Sequence, residues 1–257
     1  MRILFLCFAI AFFVPSHAQK PRLEFLVAYQ LYNDTKLPNT LPAVLHIKDS
    51  VSIYEEKFSH QEWWDGGEVG REMPAQSPTR RTNSDKYLKI DHSAKELLSF
   101  AYLGKNIVLV TDNYPELKWR ITDETKDISG FACIKATTVY RGREWTAWFT
   151  PQIAAPYGPW KLHGLPGLIL DAYDADKKYQ MTATKVVPGE SNLIKQDFKS
   201  FNITRNTEPI TYQQFMKEED EAAENMIKED ALRGVKTTWV RDKSTRGGRE
   251  LTYEWEE

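Results

Sequence analysis

The chain has 257 residues, with 34 basic and 36 acidic side chains and a net charge of −2. That balance leaves no excess to hold a polyanion, and the basic residues form no block, so nucleic acid is excluded as an expected partner. The length suits one sizeable domain, and no run beyond the N-terminus is apolar enough for a membrane helix.

The first residues are Met1 and Arg2, an apolar stretch over 3–14, and Pro15-Ser16-His17-Ala18. One positive charge, a short apolar core and a small-x-small site predict a signal peptide over 1–18. Export to the periplasm or envelope of a Gram-negative cell, or secretion, is the expectation, with residues 19–257 as a single β-rich domain. Cys7 lies in the signal core behind Leu4-Phe5-Leu6, which lacks the small residue of a lipidation site. Cys133 is then the only mature thiol, so no internal disulfide forms and stability must come from packing.

Period-two alternation dominates the rest. Strands are predicted over 23–31, 43–47, 51–58, 87–90, 97–102, 107–110, 117–122, 128–140, 145–149, 168–173 and 179–187, with Lys48-Asp49-Ser50 and Gly104-Lys105-Asn106 as hairpin turns. Residues 59–85 carry no period and are expected to be a mobile polar insertion. One helix is expected near the C-terminus, capped by Thr211 with Gln214 completing a capping box, running to Leu232 and stopped by Gly234. The fold class is mainly β: a meandering, curved antiparallel sheet, half-barrel-like, with this helix packed on it.

Gly164-Leu165-Pro166-Gly167-Leu168-Ile169 precedes an apolar strand. Leu165-Pro166-Gly167-Leu168 reads as a type II turn with Gly167 at positive φ, hence a structural corner. No Gly-Lys-Ser/Thr follows it, and no Gly-x-Ser-x-Gly elbow exists, so phosphate-loop and lipase readings fail. The mature histidines, His46, His60, His92 and His163, are scattered singly, and Asp171, Asp174 and Asp176 lack the spacing of a calcium loop; no metal or cofactor is expected. Cys133 with His163 is the one nucleophile and base pair to weigh, although Cys133 sits in an alternating strand where a thiol packs as a small apolar group. Trp148, Tyr157, Trp160, Lys161 and His163, interleaved with prolines, make a candidate wall for a ligand or partner, against the alternative that the rings fill one end of the sheet.

Residues 118–174 resemble the signature region of the GLPGLI family, also called Porph_ging, exported proteins abundant in Bacteroidetes. The hexapeptide 164–169 is its naming motif, and Ile128-Ser129-Gly130, Cys133 with Lys135-Ala136, Trp145 with Ala147-Trp148, and Gly158-Pro159 fit its pattern. The tail Leu251-Thr252-Tyr253-Glu254-Trp255-Glu256-Glu257 departs from the Asn-Pro ending frequent in that family, so no role is carried over to it. The resemblance implies an exported β-rich protein of no established activity, similar in outline to half-barrel lipoprotein carriers. The resulting expectation is a monomeric, non-catalytic protein that binds an apolar ligand, a peptide or an envelope protein. The alternative is a hydrolase or modifying enzyme using Cys133, His163 and Asp171.

Overall fold

A computed structural model describes residues 23–33, 39–56, 86–103, 106–191, 208–234 and 248–256. The expected signal peptide and the insertion over 59–85 lie outside the described residues, as does the Gly104-Lys105 part of one expected turn. Among the described residues twelve strands form one sheet: β1 (Glu24–Asn33), β2 (Asn39–Lys48), β3 (Val51–Glu56), β4 (Lys86–Asp91), β5 (Glu96–Leu103), β6 (Asn106–Asp112), β7 (Arg120–Ile128), β8 (Phe131–Tyr140), β9 (Arg143–Thr150), β10 (Leu168–Asp174), β11 (Tyr179–Pro188) and β12 (Ile210–Thr211). Their order is β12-β6-β5-β4-β3-β2-β1-β11-β10-β9-β8-β7, an open curved sheet whose two edges do not meet. Pairing is antiparallel throughout, except that β12 lies parallel to β6.

Alternation explains which face is buried. Val27, Tyr29 and Leu31 of β1 stand opposite Leu45, Ala43 and Leu41 of β2, and all six are buried. The same face continues through Met181, Ala172, Ala147 and Ala136, a row that crosses β11, β10, β9 and β8. Onto this face the connection over 151–167 folds back, and its Ile153, Ala155, Tyr157, Leu162 and Leu165 join the same core cluster. The interior is therefore filled by the chain itself. An apolar ligand held on this face would have to displace these side chains.

The connection is laced to the sheet by its backbone. Leu168 N donates to Ile153 O at 3.1 Å, Ile169 N to Tyr157 O at 3.0 Å, and Gly164 N to Pro156 O at 2.9 Å. The corner is not a type II turn. Gly167 N donates to Leu165 O at 2.7 Å, which closes a three-residue turn on Pro166. The positive φ belongs to Gly164, at 90°. Gly167 is demanded by closeness instead: a Cβ there would overlap the carbonyl oxygen of Thr150.

The helix α1 (Tyr212–Leu232) follows the capping signal, with Gln214 N donating to Thr211 Oγ1 at 3.1 Å. The Gln214 side chain turns instead to Glu218 Oε1 at 3.0 Å, so the reciprocal half of the capping box is absent. Gly234, at φ 75°, ends it as expected. Phe215 and Met216 pack with Leu103, Val108, Val110, Ile210 and Tyr253 in a second cluster.

Candidate active site

A chain of hydrogen-bonded polar groups forms where four separate pieces meet: β3, the turn that follows β4, and the two connections over 113–119 and 151–167. Ser52 Oγ lies 2.9 Å from His92 Nε2, His92 Nδ1 lies 3.0 Å from the Tyr114 hydroxyl, and that hydroxyl lies 3.3 Å from His163 Nδ1. The result is a continuous hydrogen-bond chain from Ser52 to His163. His92 is fixed by its backbone N–H, which donates to Ser50 O at 2.9 Å, and by the Tyr157 ring stacked on it at 4.3 Å. Tyr157 is held in turn by its hydroxyl, which donates to Asp49 O at 2.9 Å. His163 is held by Trp119, whose Nε1 donates to the His163 carbonyl at 2.8 Å.

Burial sets the charge state. It pushes the His163 imidazole down to about 4, and burial followed by the neighbouring His163 pushes His92 down to about 3, with Asp91 opposing weakly. Tyr114 is raised, by burial first and Tyr157 second. Near neutral pH the chain is thus imidazole, phenol, imidazole, with no net charge. A single hydroxyl hydrogen serves two rings, so only two arrangements satisfy it. If Tyr114 donates to His163 Nδ1, then His163 Nε2 carries a proton. If Tyr114 donates to His92 Nδ1, then His163 Nδ1–H donates to Tyr114 and Nε2 is a bare lone pair. His163 Nε2 is buried and has no hydrogen-bond partner in either case. One nitrogen can therefore present a donor or an acceptor, according to where the protons sit along the chain.

The residues expected from the sequence fall in several places. Tyr157 and His163 belong to this cluster. Lys161 is buried and donates to Asp112 Oδ2 and Glu250 Oε1, both at 2.6 Å. It shares both acids with Arg141, which also binds Glu254. Trp160 is half-buried at φ 55°, with its ring 5.4 Å from Trp145 and 5.8 Å from Tyr140. Trp148 stands on the face opposite the alanine row, paired with Asp171 across the strands, and Lys126 Nζ sits 4.4 Å from its ring centre. Asp171 is buried and accepts from Lys126, Gln180 and Thr182. Cys133 is fully buried, burial pushes its thiol up to about 11, and its Sγ donates to Phe131 O at 3.4 Å. It does not form a pair with His163, whose ring nitrogen faces Tyr114. Among the described residues no group of three or more His, Cys, Asp or Glu is placed to hold a metal ion. No described helix is long and apolar enough to cross a membrane.

Sequence reasoning missed Ser52, Tyr114 and Trp119 and took His92 for an isolated residue. The only sequence signal was that His163 lies beside the corner.

Two solved structures of PNGF-II, in C2 and P21 space groups, share this fold, with TM-scores of 0.53 and 0.52 and 19% identity. They align with 78% of this chain but only 33% and 34% of their own, so the chain spans about a third of their length. An uncharacterized conserved protein from Thermus thermophilus aligns at a TM-score of 0.39 and 9% identity, over 74% of this chain and 90% of its own. No curated protein matches the chain. The resemblance to the GLPGLI family is overturned, together with the non-catalytic apolar binder it implied. The hexapeptide reports a tight backbone approach at Gly167, a steric need that does not carry descent. The match over residues 73–214 is to N-glycanase peptide, N-terminal domain, and because it takes in more than half of the chain, the protein belongs to that family.

Proposed function

We propose that the chain serves an N-glycanase-like function, hydrolysis of the amide bond that joins a glycan to its peptide, with His163 as its acid and base. The observation that carries this reading is the unpartnered Nε2 of His163, at the end of a neutral hydrogen-bond chain. His92, Tyr114 and His163 all fall within the matched segment.

Amide hydrolysis needs a proton taken from the attacking water and a proton given to the leaving nitrogen. With its Nε2 bare, His163 accepts the proton from water as the new carbon–oxygen bond forms. With Nε2 protonated, it returns a proton to nitrogen as the carbon–nitrogen bond breaks. Tyr114, His92 and Ser52 are positioning residues that set which form His163 presents. Cys133 has no part, since a buried thiol held above the ordinary range supplies no thiolate. Export under the segment 1–18 suits a substrate found outside the cytoplasm, and residues 19–257 acting as one domain fits a single continuous sheet.

The test is release of glycan from a fluorescent N-glycopeptide by the purified chain, read by mass spectrometry as free sugar and an aspartate-containing peptide. His163→Gln should reduce release by at least 100-fold, and Tyr114→Phe by 10-fold or more with a changed pH profile. Absence of release, or release that His163→Gln leaves intact, overturns the reading.

A further inference from the structure

The two connections that carry Tyr114 and His163 are tied to each other at further points. One is the bond from Trp119 Nε1 to the His163 carbonyl. The other is buried charge: Lys161 Nζ donates to Asp112 Oδ2 and to Glu250 Oε1, both at 2.6 Å. Asp112, the last residue of β6, lies two residues before Tyr114, and Lys161 lies two residues before His163. Two residues of chain reach no more than about 7 Å, so a shift of either ion moves the ring that follows it. The contact to be held leaves little slack, since the Tyr114 hydroxyl and His163 Nδ1 are already 3.3 Å apart.

Both members of the pair are anchored. Asp112 Oδ1 accepts from the Asn113 N–H and from Arg141, each at 2.8 Å, and Oδ2 accepts from Arg141 at 2.8 Å and from Lys161, so the carboxylate's acceptor positions are filled. Lys161 stands in a tight turn in which Leu162 N donates to Pro159 O at 3.2 Å. Trp160 in that turn takes φ 55°, a left-handed value that a bulky residue keeps only when its surroundings enforce it. The Lys161 ion pairs supply that enforcement on one side, and the Trp160 ring, 5.4 Å from Trp145, on the other. Two acids at hydrogen-bond distance match the Lys161 ammonium, so its charge is spent inside the cluster. It acts on His163 through the course of the backbone and not through its field.

We propose that Asp112 and Lys161 are positioning residues: their buried ion pair, completed by Glu250 of the C-terminal segment, sets the separation of Tyr114 from His163 and couples the site to the seating of that segment. The inference rests on the amidase reading only for the use made of His163, and its main readout needs no turnover. The probe is the His163 imidazole, followed by NMR in the full chain labelled with 15N-histidine and assigned with His163→Gln. The groups that bear on its titration are His92, Tyr114 and Tyr157, with Asp91 beside His92, Asp49 beside Tyr157 and Lys95 over Tyr114, and the variants leave all of them in place. In the native chain His163 stays neutral down to about pH 4. Lys161→Met and Asp112→Asn should let the connections part and water reach the ring, raising its midpoint by about one pH unit or more towards the ordinary value of about 6.5. Glycan release should fall about 10-fold through kcat, with KM little changed.

Two comparisons separate positioning from general loosening. Lys161→Arg keeps a cation for both acids and should hold the His163 midpoint within about 0.3 pH units of native. Glu254→Gln alters the same cluster but is bound through Arg141, so it should leave His163 unmoved whatever it costs in melting temperature. An unmoved His163 in a folded Lys161→Met protein, or a shift as large in either comparison as in Lys161→Met, would overturn the clamp. If Lys161→Met and Asp112→Asn give no cooperative melt, Glu250→Gln decides, because it weakens one of the two bonds to Lys161: a raised midpoint sustains the clamp and an unchanged one overturns it. The two readings fail separately. A shifted His163 in a chain that releases no glycan sinks the amidase reading alone. Release that stays intact while His163 has shifted removes His163 from the chemistry and leaves the clamp standing.

Discussion

Gly164 and Gly167 stand three residues apart and answer different demands. Gly164 is exposed with φ at 90°, so an alanine there carries only the strain of a left-handed backbone. Gly167 is buried with the Thr150 carbonyl where its Cβ would be. Gly164→Ala should therefore cost about 1 kcal/mol, and Gly167→Ala on the order of 3 kcal/mol because backbone has to move. Urea unfolding of both variants checks the order; equal costs would mean that the close approach does not govern the corner. His163 gives a second residue-scale prediction. Its folded value lies below that of the unfolded chain, so above about pH 6.5 it costs nothing, while below that the unfolded state binds a proton the folded state refuses. Stability should fall as pH drops from about 6.5 towards 4, by on the order of 2 kcal/mol from this group. His163→Gln should make that part of the profile shallower and leave the share that His92 contributes, measured as the denaturation midpoint against pH.

At the scale of elements, the acid and base pairs tie pieces of the first core cluster to pieces of the second. Arg141 and Lys161 bind Asp112 at the end of β6 and Glu250 of the C-terminal segment, and Arg141 also reaches Glu254. Rings of Tyr140, Tyr212, Tyr253 and Trp255 surround the Arg141 guanidinium, each within 5.3 to 5.6 Å. Lys161→Met should leave the buried acids with one cation fewer, costing about 2 kcal/mol or more and moving acid unfolding to higher pH. A denaturation series from pH 7 to pH 3 would show it, and an unshifted acid limb would contradict it. The elements themselves were legible because each has a local signature: β1 alternates Val27, Tyr29, Leu31, and α1 begins at a capping threonine. What sequence could not supply was register. The Ser52, His92, Tyr114 and His163 cluster spans four segments whose successive members are 40, 22 and 49 positions apart in sequence, and nothing local marks a residue for it. The single long strand expected over 128–140 divides at Ser129-Gly130, where φ values of 53° and 82° turn β7 into β8. The corner at 164–167 was recognised as a corner, but Gly167 was given a dihedral role because a clash with Thr150 is invisible until the sheet brings it near.

For the whole molecule, the sheet is continuous only through β1. Strands β2 to β6, with β12, lie on one side of it and β7 to β11 on the other, so the pairing of β1 with β11 joins residues 24–33 to 179–188. The family match begins at residue 73, after β3, yet β1, β2 and β3 occupy the middle of the sheet. Without them β4 and β11 would each lose a neighbour. The core would also lose Val27, Tyr29, Leu31, Leu41, Ala43, Leu45 and Ile47, all buried and all in one cluster with residues of the remaining strands and of the 151–167 connection. Two open edges and a missing central layer cannot be offset by the remaining contacts, given that a domain of this size is stable by only about 5–15 kcal/mol. A chain starting at residue 73 should therefore show no cooperative thermal transition and should aggregate, whereas one starting at residue 19 should melt in a single step, as one domain. Closing the sheet across that sequence distance should also make folding slow, with refolding of the longer chain in the range of milliseconds to seconds. Calorimetry on the two chains decides the matter: a cooperative transition in the shorter one would place the domain boundary at the start of the family match, and β1 to β3 would then be an addition to a sheet that stands without them.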